Sequence, residues 1–283
     1  MSLLHIGLVD ATGFVDPEFV QAAAMALNIQ VLRDLPQFWD VQATVMYLPD
    51  PRRIPVGVWP VVLVPSLLPG EGGFHLDQQN QPYAKVLANV ANDSWTVAAS
   101  HEILEMLVDP YGNFLKTARS IQVIGGRIED GPGEFDYLVE ICDPCEHDLF
   151  AYSIRGIAVS DFITPRYYDP VTALGVRYSF TGSIQAPRQV LPGGYISWLD
   201  PFCDELHQLQ FVDTTLPPHV VRLGGANCRS LREGVHVANS SAYDLRNAQT
   251  VMSIPQNPDL HAACRLRRMA LDHMARRRGA RLI

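Results

Sequence analysis

Apolar and polar positions along the first third of the chain follow periods that switch from strand to helix and back. Leu3 to Val9 reads as a strand. Pro17 to Trp39 repeats its apolar residues at helical spacing, with Asp16 as the N-cap and Pro17 at the first helical position, where a missing N–H is tolerated. Ala43 to Leu48 and Pro60 to Val64 are β-rich runs separated by the turn-forming "PDPRRIP". A Gly-rich loop, "PGEGGFHLD", a short strand over Tyr83 to Leu87 and a helix over "WTVAASHEILEMLVDPYGN" follow. The order strand, helix, strand, strand, strand, helix predicts an α+β fold with the second helix packed on a mixed sheet.

After Pro110 the texture changes to short strands and turns, with Tyr137 to Ile141, Ala151 to Ile154 and Ile157 to Ile163 as strands and Arg155-Gly156 as a hairpin loop. Beyond Pro187 the turn markers "LPGGYISWLDP", "TTLPPH" and "RLGGANC" lead to a basic helix at the C-terminus. No internal repeat or low-complexity linker is visible. The reading is therefore an α/β domain over 1–185 and a loop- and strand-rich extension over 186–283.

With 283 residues, 47% of them hydrophobic and 18% charged, the chain can bury a core without disulfides. The net charge of −8 argues against a general nucleic-acid binder. Seven of the 22 basic residues nevertheless fall between Arg265 and Arg281, on a segment whose Leu266, Met269, Leu271 and Met274 supply an apolar stripe. A solvated or subunit-contacting helix is the preferred reading of that tail, contact with phosphates or an acidic partner is the alternative, and an oligomer or assembly partner is compatible with it. The start "MSLLHIGLVDATG" lacks a basic leader, and the longest apolar run, Val56 to Leu68, is broken by Pro60 and Pro65, so a cytoplasmic protein with no membrane span is expected. Five scattered cysteines define no disulfide framework.

Chemistry concentrates in two places. On a helix, positions i and i+4 share a face, so His101 and Glu105 of "HEILE" can reach one ion from adjacent turns, and Glu102 can take a proton from water beside it. Ser94 would cap this helix, and Val97, Ala98, Leu104 and Val108 would form its apolar face. The alternative is an ordinary amphipathic helix on which His101 and Glu105 are a polar pair. Downstream, "YLVEICDPCEH" places Glu140 on the face of Leu138 and Asp143 in the turn before Pro144; either carboxylate is a candidate third ligand. Cys142 and Cys145 form a CxxC with too few neighbouring ligands for a zinc knuckle and no thioredoxin-like context, which favours structural thiols.

"SHEILEMLVDP" followed by "EICDPCE" resembles the paired motif of zincin-like HExxE proteins of unknown activity, including plant Exordium-type proteins and bacterial relatives. The matching positions are Ser100, His101, Glu102, Glu105, Asp109 and Pro110, then Glu140, Ile141, Asp143, Cys145 and Glu146, within a likeness that covers about residues 1–165. The resemblance implies a zincin-like sheet with an active-site helix and a metal held by His101, Glu105 and Glu140 or Asp143. Zinc is the expected ion, with Mn, Fe or Ca made more competitive by the carboxylates. It also implies an edge strand at Val61 and Leu63 along a substrate cleft. His75, in the Gly-rich loop, reads as a surface histidine, with an oxyanion contact in the cleft as the alternative. Tyr111 stands where metzincins carry their third histidine, and Asp109 more naturally closes the helix end. The expected function is a metal-dependent hydrolase, peptidase-like, with Glu102 as general base; the alternative is a non-catalytic binding or assembly protein of the same shape.

Overall fold

A computed structural model of the chain describes residues 3–239 except 69, 70, 90, 92, 226 and 227. The basic tail and Cys264 lie outside the described residues. Strand β1 (Leu4–Asp10) runs parallel to β2 (Ala43–Tyr47) on one side and to β3 (Val58–Val64) on the other. Next to β3 comes β5 (Gln81–Leu87), again parallel, and β4 (Gly73–Gln78) closes the sheet as an antiparallel edge. Connections dictate these senses. Helix α1 (Pro17–Ile29) carries the chain from β1 back to a parallel β2, whereas Gln79 and Asn80, both at positive φ, turn β4 directly into β5.

Asp16 caps α1 as expected, accepting from the Glu18 amide at 2.8 Å. The helix does not persist to Trp39. Gln30–Asp34 widens into a π-turn and Leu35–Gln37 tightens into a 3-10 turn, at Pro36, which has no N–H for the ladder.

Two strand expectations change. Every residue of β3 is buried, and the unbroken apolar run is the signature of a strand covered on both faces rather than of an edge. Val61 and Leu63 are therefore in the middle of the sheet at 0% exposure and cannot border a cleft. The edge next to the helix that follows is β4, inside the segment that reads as a Gly-rich loop, and β2 is the opposite edge.

Helix α2 (Trp95–Val108) packs on β4 and β5 and meets α1 through an edge-to-face contact between Trp95 and Phe19 at 5.7 Å. Nearly all its residues are buried, so the expected apolar stripe is in fact an all-round interior helix. Ser94 does not cap it: its side chain makes no capping bond, and its hydroxyl accepts from Asn89 Nδ2. Ser100 anchors the middle of α2, its hydroxyl donating to Gln30 Oε1 at 2.7 Å and accepting from the Ser160 amide at 2.9 Å.

A second sheet, ordered β12-β11-β10-β7-β6, follows α2. Its strands are β6 (Leu115–Ile124), β7 (Arg127–Leu138), β10 (Tyr195–Asp200), β11 (Glu205–Gln210) and β12 (His219–Gly225). β7 ends at Leu138, three residues short of expectation, so Glu140 stands beyond the strand rather than in it. β10 pairs with β7 through Trp198 and Tyr137, which joins the two sides of the expected boundary near residue 185 in one sheet. The short hairpin β8 (Tyr152–Ile154) and β9 (Ile157–Val159) turns at Arg155-Gly156, both at positive φ, as the sequence suggests. Helix α3 (Leu231–Asn239) is the last described element.

Replacing Ser100 by Ala strands the buried Gln30 oxygen and the Ser160 amide. The loss expected in urea unfolding is about 1–3 kcal/mol; a variant within about 0.5 kcal/mol of the parent, the ordinary surface range, would contradict this anchoring.

Candidate metal centre

α2 turns His101, Glu102 and Glu105 toward the turn that follows β7. Glu105 divides its carboxylate between two tasks. Oε1 accepts from the amides of Cys142 at 3.0 Å and Asp143 at 3.3 Å, while Oε2 stands 3.1 Å from His101 Nε2. The same imidazole nitrogen is 3.2 Å from Asp143 Oδ1. The HExxE helix and the "CDPC" turn thus meet at His101 Nε2. Asp143 sits in a 3-10 turn over Asp143–Cys145 that is clamped from above: Leu191 donates to the Pro144 carbonyl at 2.9 Å, and a Cβ on Gly194 would come 2.6 Å from the Asp143 carbonyl.

Of the two candidate third carboxylates, Asp143 is the one beside His101. Glu140 is turned to the other side, with Oε2 at 3.2 Å from Arg232 Nη1 and 3.8 Å from His75 Nε2. Glu102 is buried at 4% exposure and lines the cleft; its Oε2 lies 3.1 Å from His75 Nδ1. Gly73 of β4 passes so close that a Cβ there would stand 2.9 Å from Glu102 Oε1. His75 itself is 1% exposed, beneath Glu102 rather than on the cleft wall. It contacts a site carboxylate and is buried, not the surface histidine that its place in the Gly-rich segment suggests. Asp109 closes the helix end, accepting from the amides of Asn113 at 3.1 Å and Phe114 at 2.8 Å.

The electrostatics of this cluster are unusual. Glu105 Oε2, both oxygens of Glu140, both oxygens of Asp143 and His75 Nε2 are buried without a hydrogen-bond partner. A buried carboxylate in that condition is costly unless a cation stands near it. Burial pushes Asp143 up to about 6, with the Glu105 charge adding to it, and raises Glu140 well above the carboxylate range despite Arg232. Burial opposes ionisation of Glu105 too, but His101 and then Arg232 outweigh it and hold that carboxyl below its usual range. Desolvation would lower His101; Glu105 and Asp143 overcome it and raise the imidazole well above its ordinary value. In the absence of another cation, protons gather where His101, Glu105 and Asp143 converge.

Several groupings of these residues could hold a divalent ion. Ligand atoms about 2.1 Å from one centre stand roughly 3.0–3.4 Å apart at right-angled or tetrahedral disposition, and the two distances from His101 Nε2 have that spacing. At this cluster, the groups whose donor atoms all lie within 4.8 Å of one another join His101 to Glu105 with Cys142, or to Asp143 with Glu146, and His75 to Glu102 and Glu105. Cys142 lies within reach of the same grouping. Its thiol is raised well above the normal value by burial and by Glu105, which disfavours the thiolate a metal needs. Cys142 and Cys145 are free thiols in the core.

Three participants escaped the sequence reading as site residues. Arg232 of α3 reaches Glu105 Oε2 at 3.4 Å, Asp143 Oδ2 at 3.7 Å and Glu102 Oε2 at 3.9 Å besides Glu140. Glu146 and Tyr195 line the cleft above His101. Glu146 belonged to the recognisable motif; Arg232 and Tyr195 carry no local signal, because only the tertiary fold brings them to α2. The cleft is about 440 Å³, with Leu68, Phe74, Val97 and Val235 as apolar walls beside the charged floor. No protein-family model, curated protein or solved structure matches the chain.

Burial moves Asp143 from 3.8 to about 6 and Glu146 from 4.5 to about 8, so with divalent ions chelated the folded state retains protons that the unfolded chain releases. Raised His101 acts in the same direction. Stability in EDTA is expected to be greatest near the lower carboxylate values and to decline as pH rises toward 8. Thermal unfolding across that window checks this; a melting temperature that climbs with pH would contradict the charge arrangement.

Proposed function

We propose that the chain is a metal-dependent hydrolase of zincin type acting on peptide bonds. The observation that carries this reading is the placement of His101 Nε2 3.1 Å from Glu105 Oε2 and 3.2 Å from Asp143 Oδ1, with both oxygens buried. The three side chains would hold a divalent ion, zinc first, with Mn, Fe or Ca favoured more than in a histidine-rich site. When bound, such an ion supplies Lewis acidity toward water and a carbonyl.

The protein's own groups supply the rest. Glu102, on the cleft wall one residue from His101, takes a proton from water and returns it to the leaving amine. His75 Nδ1 keeps Glu102 oriented through the 3.1 Å contact, and Gly73 leaves room for its carboxylate. The antiparallel edge strand β4 beside α2 offers backbone groups to an extended chain, the role first expected at Val61 and Leu63. A five-stranded sheet closed by an antiparallel edge next to the HExxE helix supports the zincin-type reading.

A second reading has its own observation. Arg232 touches the same carboxylates as an internal counter-charge, so the cluster is compatible with a binding protein that holds no ion.

Elemental analysis after dialysis separates the two. One equivalent of divalent metal is expected, lost on His101→Ala; folded protein without metal even after incubation with excess zinc favours the binding protein. Glu102→Gln is expected to keep the metal and to lose at least about 100-fold in peptide turnover, measured on a peptide library, and unchanged turnover sinks the mechanism.

A further inference from the structure

α3 has only nine residues, too few to be a stable helix by itself, so its conformation is set by what it rests on. Those contacts are of five kinds. The Leu231 amide donates to Asn113 Oδ1 at 3.1 Å and the Arg232 amide to the Gly112 carbonyl at 3.0 Å, in the turn that ends α2. Val235 packs with Leu138 and Leu206 in a small apolar cluster separate from the main core. His236 lies over Phe74 of β4 with ring centres 4.8 Å apart and its Nδ1 3.4 Å from Glu71. Arg229, just before the helix, donates to the backbone carbonyl of Asp77 in the edge strand β4.

The fifth kind is the descent of Arg232 into the cleft floor. Its guanidinium is nearly buried and lies 3.2–3.9 Å from oxygens of Glu140, Glu105, Asp143 and Glu102. The segment therefore uses a backbone acceptor of the edge strand, an apolar wall at Phe74 and an acidic floor. Any extended peptide in this cleft would need the same three features. The acidic floor selects among such peptides: once α3 leaves, a neutral or acidic side chain there would put no positive charge in place of the Arg232 guanidinium, which lies 3.2 Å from Glu140 and 3.4 Å from Glu105.

We propose that the cleft recognises a peptide segment carrying a basic side chain, and that α3 is its internal occupant, with Arg232 in the place of that side chain. The proposal rests on the cleft being a peptide-binding cleft, as under the proposed function, but needs neither a bound metal nor hydrolysis. Its docking on a satellite cluster makes α3 separable from the core that holds the ligand residues. A competing basic peptide would add to the same acceptors.

The test is direct binding in EDTA by fluorescence anisotropy, using a labelled synthetic peptide of residues 229–239 and its counterpart with citrulline at Arg232, which removes the charge and keeps the shape. Full-length protein carrying Arg232→Ala with His236→Ala opens the cleft, and Arg229→Ala with His236→Ala loosens α3 while the cluster keeps its counter-charge, in case the first variant does not fold. The arginine peptide is expected to bind an opened variant at least about tenfold tighter than the citrulline peptide, and at least about tenfold tighter than it binds the unaltered protein. Equal affinity of the two peptides, equal affinity of opened and unaltered protein, or no binding by a folded opened variant overturns the proposal. Metal content decides the hydrolase reading independently, so the two fail separately.

Discussion

The carboxylate of Glu105 joins the parts of this molecule that carry its chemistry. One oxygen ties the helix to the turn after β7 by accepting from two consecutive amides, and the other is left facing His101. A histidine at this position has a single acceptor nitrogen and could not accept from those amides and face an ion with a second lone pair at the same time. The glutamate that breaks the familiar HExxH pattern is thus what brings Asp143 to His101. Fixing the turn also fixes Glu140 and Glu146, which flank it on opposite sides of the cluster.

That arrangement creates a concentration of negative charge that the fold must answer. The described structure answers it with His75 from the edge strand, His101 from α2 and Arg232 from α3, three elements far apart in sequence. Because the carboxylates are buried, each of these side chains is held by the cluster as much as it holds it, and a divalent ion would enter an existing competition. The close passage of Gly73 over Glu102 belongs to the same constraint: β4 can supply His75 beneath the helix only if the strand carries no side chain at the crossing point.

Much of the fold was legible because local patterns were unambiguous. The strand-to-helix order through α2, the Asp16 cap and the Arg155-Gly156 hairpin follow from periodicity and turn chemistry. Elements failed where tertiary context reverses a local signal. β4 looked like a loop because of its glycines, yet Gly73 is there for clearance above Glu102; Val61 and Leu63 looked like an edge, yet a wholly apolar run marks a strand with neighbours on both sides. The motif delivered His101, Glu102, Glu105 and Asp143 as neighbours, and left open which downstream carboxylate meets the histidine, because that depends on where β7 ends. Arg232 was illegible: a short polar helix has nothing in its own sequence to say that its arginine will be buried among acids.

The central claim is that His101, Glu105 and Asp143 form the binding centre and that Cys142, although near, does not. X-ray absorption at the metal edge of the zinc-loaded protein tests this most directly. A first shell of nitrogen and oxygen alone at about 2.0–2.2 Å, with one imidazole, is the result this account requires. A sulfur scatterer near 2.3 Å, or zinc that stays bound after His101→Ala, would contradict it.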